Sequence, residues 1–220
     1  MRTVHPRSRF GLIVLFTSCL CTAGFAAPQE EDINYEMVRC NPILRQVLSA
    51  NSPYPDSTNE ESPEYKFREN WVDNQVDHFV KQTYTKLSEL KASVQRASSA
   101  CSELAADDSG KRTQALVTLR QALVKAEDQS KDLRTSLSMV LVELPAKDKF
   151  DVKVSRGAQA AGFKVEIESL SEQTANAERF IRDYFFKPTH VTSLADLKSA
   201  NMLDYLKRVE RIARAIREKL

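Results

Sequence analysis

The chain has 220 residues, and its 32 Lys and Arg against 30 Asp and Glu give a formal net charge of +2. Three of the arginines lie in the first 26 positions, so the other 194 residues carry 29 basic and 30 acidic side chains. This near-neutral balance excludes a general polyanion binder, and we predict no nucleic-acid partner. The length suffices for one domain with its own core.

Residues 1–26 have the pattern of a secretory signal peptide. Arginines precede an apolar stretch over residues 10–20, and small residues follow it up to Ala27. The pattern predicts cleavage after Ala26 and a periplasmic or secreted protein. Cys19 lies inside the apolar stretch and matches a lipoprotein motif only loosely, so lipid anchoring is disfavoured. No second apolar run of membrane-spanning length follows.

Residues 27–62 are predicted to form an irregular N-terminal arm. Proline and serine are frequent there, and the stretch 51–59 has the composition of turns and loops. A short helix from about Pro42 to Leu48 is compatible with the spacing of the apolar residues.

Two cysteines, Cys40 and Cys101, remain once the leader is removed. In an oxidising compartment two cysteines predict one disulfide, which would pin the arm along the first long helix. The pairing is demanding, because it needs a nearly taut arm, a broken helix or an arm that returns across the bundle.

Residues 63–220 are predicted to form a bundle of four amphipathic helices. Ser62-Pro63 is a helix start, residues 107–110 interrupt the first helix, and Pro145 and Pro188 end the second and third. We therefore expect an all-α fold, an elongated up-down-up-down four-helix bundle with long antiparallel helices. The apolar positions, spaced three and four residues apart, include Val76, Val80, Leu87, Leu90, Val94, Leu116, Leu119, Leu123, Leu133, Leu137, Ile167, Leu170, Ala177, Ile181, Leu203, Leu206, Val209, Ile212 and Ile216.

The start of the third helix is open to two interpretations. Residues 150–154 alternate apolar and polar positions, and so do Phe163, Val165 and Ile167, which would suit a small β-hairpin. A helix from about residue 158 is favoured, because the spacing of three and four residues persists beyond Ser169.

Motifs of the common enzyme classes are absent from the sequence, including Gly-x-Ser-x-Gly, His-Glu-x-x-His and Cys-x-x-Cys. Asp73, Asp77 and His78 are the best metal candidates, but a solvated polar face is the favoured interpretation because no Glu-x-x-His pair accompanies them. Met and His ligands for haem are equally unsupported, since no Cys-x-x-Cys-His occurs. We predict a non-enzymatic protein with no cofactor and no metal.

Two groups of aromatic residues lie at the start of the first long helix and at the end of the third. In the predicted bundle these two ends meet. The aromatic side chains would then either fill one end of the core or line an apolar pocket or partner groove. The groups are Phe67, Trp71, Phe79 and Tyr84, and Phe180, Tyr184, Phe185 and Phe186.

The last helix has a basic side formed by Lys207, Arg208, Arg211 and Arg214. A solvated face near the negative end of the helix dipole is the favoured interpretation. Contact with an anionic membrane or cell-wall polymer is the alternative.

Taken together, these patterns predict an exported, non-enzymatic helical-bundle protein with an interaction or scaffolding role toward an unknown protein partner. The alternative is a carrier of a small ligand or cofactor, with its site near the aromatic end.

Overall fold

A computed structural model describes residues 33–105, 108–141, 163–187 and 202–220. The regular elements of these residues are all helices, which confirms the predicted all-α class. They are α1 (Tyr35–Arg39), α2 (Pro42–Ser49), α3 (Pro63–Glu103), α4 (Ser109–Leu137), α5 (Lys164–Ile181), a π-helical turn that continues α5 (Arg182–Phe186), and α6 (Met202–Arg217). The predicted leader, residues 1–26, lies outside the described residues.

The two longest helices begin at side-chain caps. The Ser62 hydroxyl accepts a hydrogen bond from the Tyr65 backbone N–H at 3.1 Å, and Pro63 occupies the first helical position, as predicted. Asp108 caps α4 by accepting from the N–H groups of Gly110 and Lys111 at 2.8 and 3.3 Å. These caps satisfy N–H groups that have no partner inside the helix.

Most of the predicted apolar stripes are buried, and they form one continuous core. Leu116 is an exception and is exposed. Helix α4 ends at Leu137, earlier than the predicted stop at Pro145, which lies outside the described residues. Within the described part of the chain, α3 packs against α4 and α5, and α6 packs against the same two helices.

The described part of residues 150–167 is helical. Phe163 and Ile167 are buried whereas Val165 is 70% exposed. In a strand these three residues would lie on one face, so their different burial follows the helical period. The hairpin alternative is therefore not adopted from Phe163 onward, and residues 150–162 lie outside the described residues.

The N-terminal arm is more ordered than predicted. Helices α1 and α2 fold back onto α3 and bury Val38, Ile43 and Leu44. Asn34 and Asn41 cap them by accepting backbone N–H groups, and Pro42 occupies the first position of α2. The short helix considered from about Pro42 to Leu48 is present as α2, whereas the prediction of an irregular arm needs correction over Tyr35–Arg39, because the Asn34 cap and the buried Val38 outweigh the irregular composition.

Candidate interaction site

An assembly of charged side chains lies where α1 and α2, here called the docked helix pair, meet α3. The Arg39 guanidinium donates to both carboxylate oxygens of Asp77, at 3.0 and 2.5 Å. Arg45 donates to Asp73 and to Glu69. Because Glu69, Asp73 and Asp77 are spaced four residues apart on α3, they form one row on its surface, here called the carboxylate row.

The neighbouring carboxylates raise the pKa of both arginines. The hydrogen bond and the charge of Asp77 raise the pKa of Arg39 above its ordinary value. Burial alone would lower the pKa of Arg45, but the hydrogen bonds and charges of Asp73 and Glu69 outweigh burial and raise it. The arginine–carboxylate geometry thereby fixes the position of the docked helix pair along α3.

Apolar burial contributes more to docking than these ion pairs do. Partly exposed ion pairs contribute about 0–1 kcal/mol each. Full burial of an aliphatic side chain contributes about 1.5–3 kcal/mol, and Val38, Ile43 and Leu44 are all buried. The aliphatic side chains therefore supply most of the free energy, and the arginines select the position.

Asn41 connects the docked helix pair to the end of α5. Its side-chain oxygen accepts from the N–H groups of Ile43 and Leu44, at 3.1 and 3.2 Å. Its side-chain nitrogen donates to the Tyr184 carbonyl at 3.0 Å. The backbone N–H of Asn34 donates to the neighbouring Phe186 carbonyl at 3.2 Å. The π-helical turn thus presents two carbonyl groups to the N-terminal helices.

Two of the three predicted metal candidates take part in this assembly. Asp73 and Asp77 are bound by arginines, and His78 shares a hydrogen bond of 2.9 Å with Gln82. In the part of the chain that the structure describes, no group of three or more His, Cys, Asp or Glu side chains is placed to hold a metal ion.

Seven of the eight predicted aromatic residues belong to the core or pack against it, and Phe67 is the exception. Phe79 contacts Phe185 edge to face with 5.8 Å between ring centroids, and Tyr84 contacts Phe186 at 5.5 Å. These four rings are buried and pack in the core.

Three of the other predicted aromatic residues, Trp71, Phe180 and Tyr184, are partly buried against this core. Phe180 stacks on Tyr184 and on Tyr205 of α6, at 6.0 and 5.7 Å, and Trp71 is partly buried against the core. Phe67 is 59% exposed and stacks on Tyr54 at 6.2 Å. Phe67 is therefore the predicted aromatic residue that takes no part in the core.

The basic side of α6 contacts neighbouring residues instead of standing apart. Arg214 donates to Glu127 of α4 at 2.8 Å, and Arg208 lies over the Tyr205 ring at 5.6 Å. Lys207 and Arg211 also have polar or electrostatic partners. These contacts partly neutralise the basic side of α6 and so weaken its attraction for an anionic membrane or polymer.

The predicted disulfide is not formed. Cys40 is an exposed free thiol and Cys101 a buried one. Arg39, next to Cys40, binds Asp77, and Cys101 lies 24 residues further along α3, or about 36 Å at 1.5 Å per residue. The Cα atoms of a disulfide are less than about 7 Å apart. The docking of α1 on the first half of α3 thus separates the two thiols.

A cavity of about 440 Å³ lies between the end of α3 and the start of α5. It is about 26 Å along α3 from Tyr84, the last of the core aromatic residues on that helix. Its lining includes Ser98, Cys101, Ser102, Lys164, Ile167 and Glu168.

The sequence interpretation missed Asn41, Arg39 and Arg45. A signal for Asn41 was present, because Asn41-Pro42 is the same kind of helix start as Ser62-Pro63. No local signal identifies the partners of the arginines, since 38 residues separate Arg39 from Asp77.

No protein-family model, curated protein or solved structure matches this chain. Of the helices in the described ranges, none combines the length and the apolar character needed to cross a membrane.

Proposed function

We propose that this protein is an exported, non-enzymatic helical bundle with an interaction or scaffolding role. The observation that carries the proposal is the use of its charged side chains to join helices. Arg39, Arg45, Lys91, Arg134 and Arg214 all bind carboxylates on a different helix. Charged side chains that join helices fix the position of the helix surfaces. Catalysis instead needs a nucleophile and a base brought together in a cleft.

The proposal includes a bundle of four long helices in which α3, α4, α6 and α5 follow one another around the core. Contacts between α3 and α4 support an antiparallel pair. Lys86 donates to Ser136, and the Gln129 amide, oriented to donate, reaches Ser93 at 2.7 Å. Residue numbers thus rise along α3 as they fall along α4.

Contacts between α3 and α5 support the same relation. Phe79 pairs with Phe185, and further along α3 Lys91 binds Glu178 at 2.6 Å. Since α4 and α5 then both run opposite to α3, they run parallel to each other. The proposed chain order is up-down-down-up, in place of the up-down-up-down order expected from the sequence.

Helix α6 completes the proposed bundle beside α4. Glu127 binds Arg214, and Arg134 binds Glu210 at 2.7 Å, so residue numbers in the two helices run in opposite senses. Every neighbouring pair is then antiparallel, which places the helix dipoles in opposite directions.

The experiment that tests the interaction role is crosslinking of the tagged full chain in its native cells, followed by identification of the linked proteins. We expect a reproducible partner protein and an N-terminus at Ala27 in the mature chain. A protein with no crosslinked partner, or one that retains residues 1–26, would contradict the role or the export respectively.

The cavity at Cys101 supports a second candidate, a carrier of a small ligand. Its volume of about 440 Å³ is within the usual range of ligand pockets. Mass spectrometry of an organic extract of the purified protein tests this candidate. A stoichiometric small molecule that slows alkylation of Cys101 when added back would favour the carrier over the scaffold.

A further inference from the structure

The surface of α3 under the docked helix pair is suited to an amphipathic helix with arginines on one side. The carboxylate row runs along this surface, and the neighbouring positions Val72 and Val76 are buried. The docked helix pair fills the surface with the matching chemistry: Arg39 and Arg45 on the carboxylates, and Val38, Ile43 and Leu44 in the apolar part.

The docked helix pair is the part of this assembly that can leave at least cost. Helices of five and eight residues are too short to be stable alone in water, so they fold only when docked. The ordering of their backbone opposes docking and reduces the net free energy of the contact. The burial of Val38, Ile43 and Leu44 compensates for that cost. Because these side chains belong to two short helices, the docked helix pair forms a unit that can open before the whole protein unfolds.

The connection to α3 allows this release. Residues 50–62 form turns, bends and chain without regular secondary structure between the end of α2 and the cap of α3, and they contain Pro53 and Pro55. Departure of α1 and α2 therefore requires no change within α3. A tether of this length holds the docked helix pair at a high effective concentration, so an intrinsically weak contact remains occupied.

We propose that the carboxylate row and its apolar flank are a docking groove for an arginine-bearing amphipathic helix of a partner protein, and that the docked helix pair is a built-in competitor for it. This inference rests on the proposed interaction role and specifies the chemistry of the partner. The tether favours the docked helix pair over a partner, because it raises the effective concentration of the pair at the groove. A partner helix longer than α2 is more stable before it binds and loses less entropy on binding, which compensates for this advantage.

A peptide with the sequence of residues 33–50 tests the groove without knowledge of the natural partner. The peptide carries a fluorophore and is titrated, under reducing conditions, with the full-length mature protein while anisotropy is measured. Wild-type protein is expected to bind it weakly. The double variant Arg39→Gln/Arg45→Gln, whose own helix pair docks less well, is expected to bind it at least about tenfold more tightly.

Two controls test whether the titration reports on the arginine–carboxylate contacts of the groove. Arg214→Gln removes an arginine–carboxylate contact on α6 and is expected to leave peptide affinity unchanged. A peptide carrying Gln at positions 39 and 45 is expected to bind the double variant at least about tenfold more weakly than the wild-type peptide. Equal affinity of the double variant and the wild-type protein for the wild-type peptide would overturn the proposal.

Hydrogen exchange on the unmodified protein provides a test that needs no variant. Amides of α1 and α2 are expected to exchange at least about a hundredfold faster than the buried amides of α3. Equal protection of the two regions would show that the docked helix pair opens only with the whole protein and would overturn its role as a competitor. Crosslinking in cells can fail while these two tests succeed, so failure of the interaction role and failure of the groove are distinguishable.

Discussion

The docked helix pair and the contact between α4 and α6 use the same ion-pair chemistry at different depths of packing. Arg39 binds Asp77 through two hydrogen bonds, and Arg134 binds Glu210 through two hydrogen bonds, at 2.7 and 3.3 Å. The Arg134–Glu210 ion pair joins two long helices that contain many buried leucines. The helices α1 and α2 are short and bury few side chains. Equal contacts therefore have unequal consequences, because the surrounding apolar burial decides whether a loss is local or global.

The largest effect is expected from truncating the core of the long helices. Leu123→Ala removes a fully buried side chain of α4 and should lower the free energy of unfolding by about 2–5 kcal/mol, since a cavity adds to the lost burial. Urea denaturation followed by circular dichroism measures it. A change below about 1 kcal/mol would mean that this part of the core repacks freely.

The matching truncation in the docked helix pair should destabilise only that pair and not the whole protein. Leu44→Ala also removes a fully buried side chain and should weaken docking by about 2–4 kcal/mol, while the urea midpoint stays near that of the wild type. Hydrogen exchange confined to α1 and α2 is the measurement. If the midpoint falls as far as in Leu123→Ala, the two regions form one cooperative unit.

A smaller effect is expected at the connection to the π-helical turn. Asn41→Ala loses both the cap of α2 and the bond to the Tyr184 carbonyl, and should weaken docking by about 1–3 kcal/mol. Asn41→Ser keeps an N-cap hydroxyl but is too short to reach the carbonyl, so it should lie between wild type and alanine. Exchange rates of the α2 amides rank the three proteins, and equal rates for serine and alanine would show that capping contributes nothing.

Single arginine substitutions should sharpen the comparison. Arg45→Gln and Arg214→Gln should each change the free energy of global unfolding by less than about 1 kcal/mol. Only Arg45→Gln should accelerate exchange in the docked helix pair. Raising the NaCl concentration from 50 mM to 1 M should produce the same acceleration in wild-type protein, because salt screens partly exposed pairs. Acceleration by Arg214→Gln would indicate that the two regions are coupled.

The smallest effect concerns the Cys101 thiol. Burial raises the pKa of Cys101 above its ordinary value, and the negative charge of Glu166 raises it further. Since the folded protein keeps this proton at a pH where the unfolded chain loses it, the stabilising contribution is complete below about pH 8.5 and is lost as pH rises. Urea midpoints at pH 8 and pH 10 should therefore fall more in wild type than in Cys101→Ala. Parallel decreases would contradict the shift.

The parts of the fold that depend on local signals could be predicted from the sequence. Ser62-Pro63 marks the start of α3 because a cap acts within one turn, and the apolar stripes locate the buried faces because each face repeats every three or four residues. The same local rule, applied to Asn41-Pro42, supports the short helix that the apolar spacing already suggested from about Pro42.

What could not be predicted depends on which distant residues meet. The Arg39–Asp77 contact spans 38 positions, and the position of α1 along α3 also decides that Cys40 and Cys101 remain apart. A single sequence contains no measure of that position. The aromatic residues illustrate the same limit. Phe67 and Phe79 are both phenylalanines in the first half of α3, but only Phe79 reaches the core.

The π-helical turn after α5 also shifts the phase of the chain. The Lys187 N–H donates to the Arg182 carbonyl five residues earlier, at 2.8 Å, so this turn contains one residue more than an α-helical turn. Consecutive side chains, Phe185 and Phe186, can consequently both face inward and contact different residues of α3. Removing one residue here would restore the ordinary helical repeat and rotate one phenylalanine toward water. The number of residues in this turn therefore matters as much as their identity, and a one-residue deletion would be less tolerable than most substitutions.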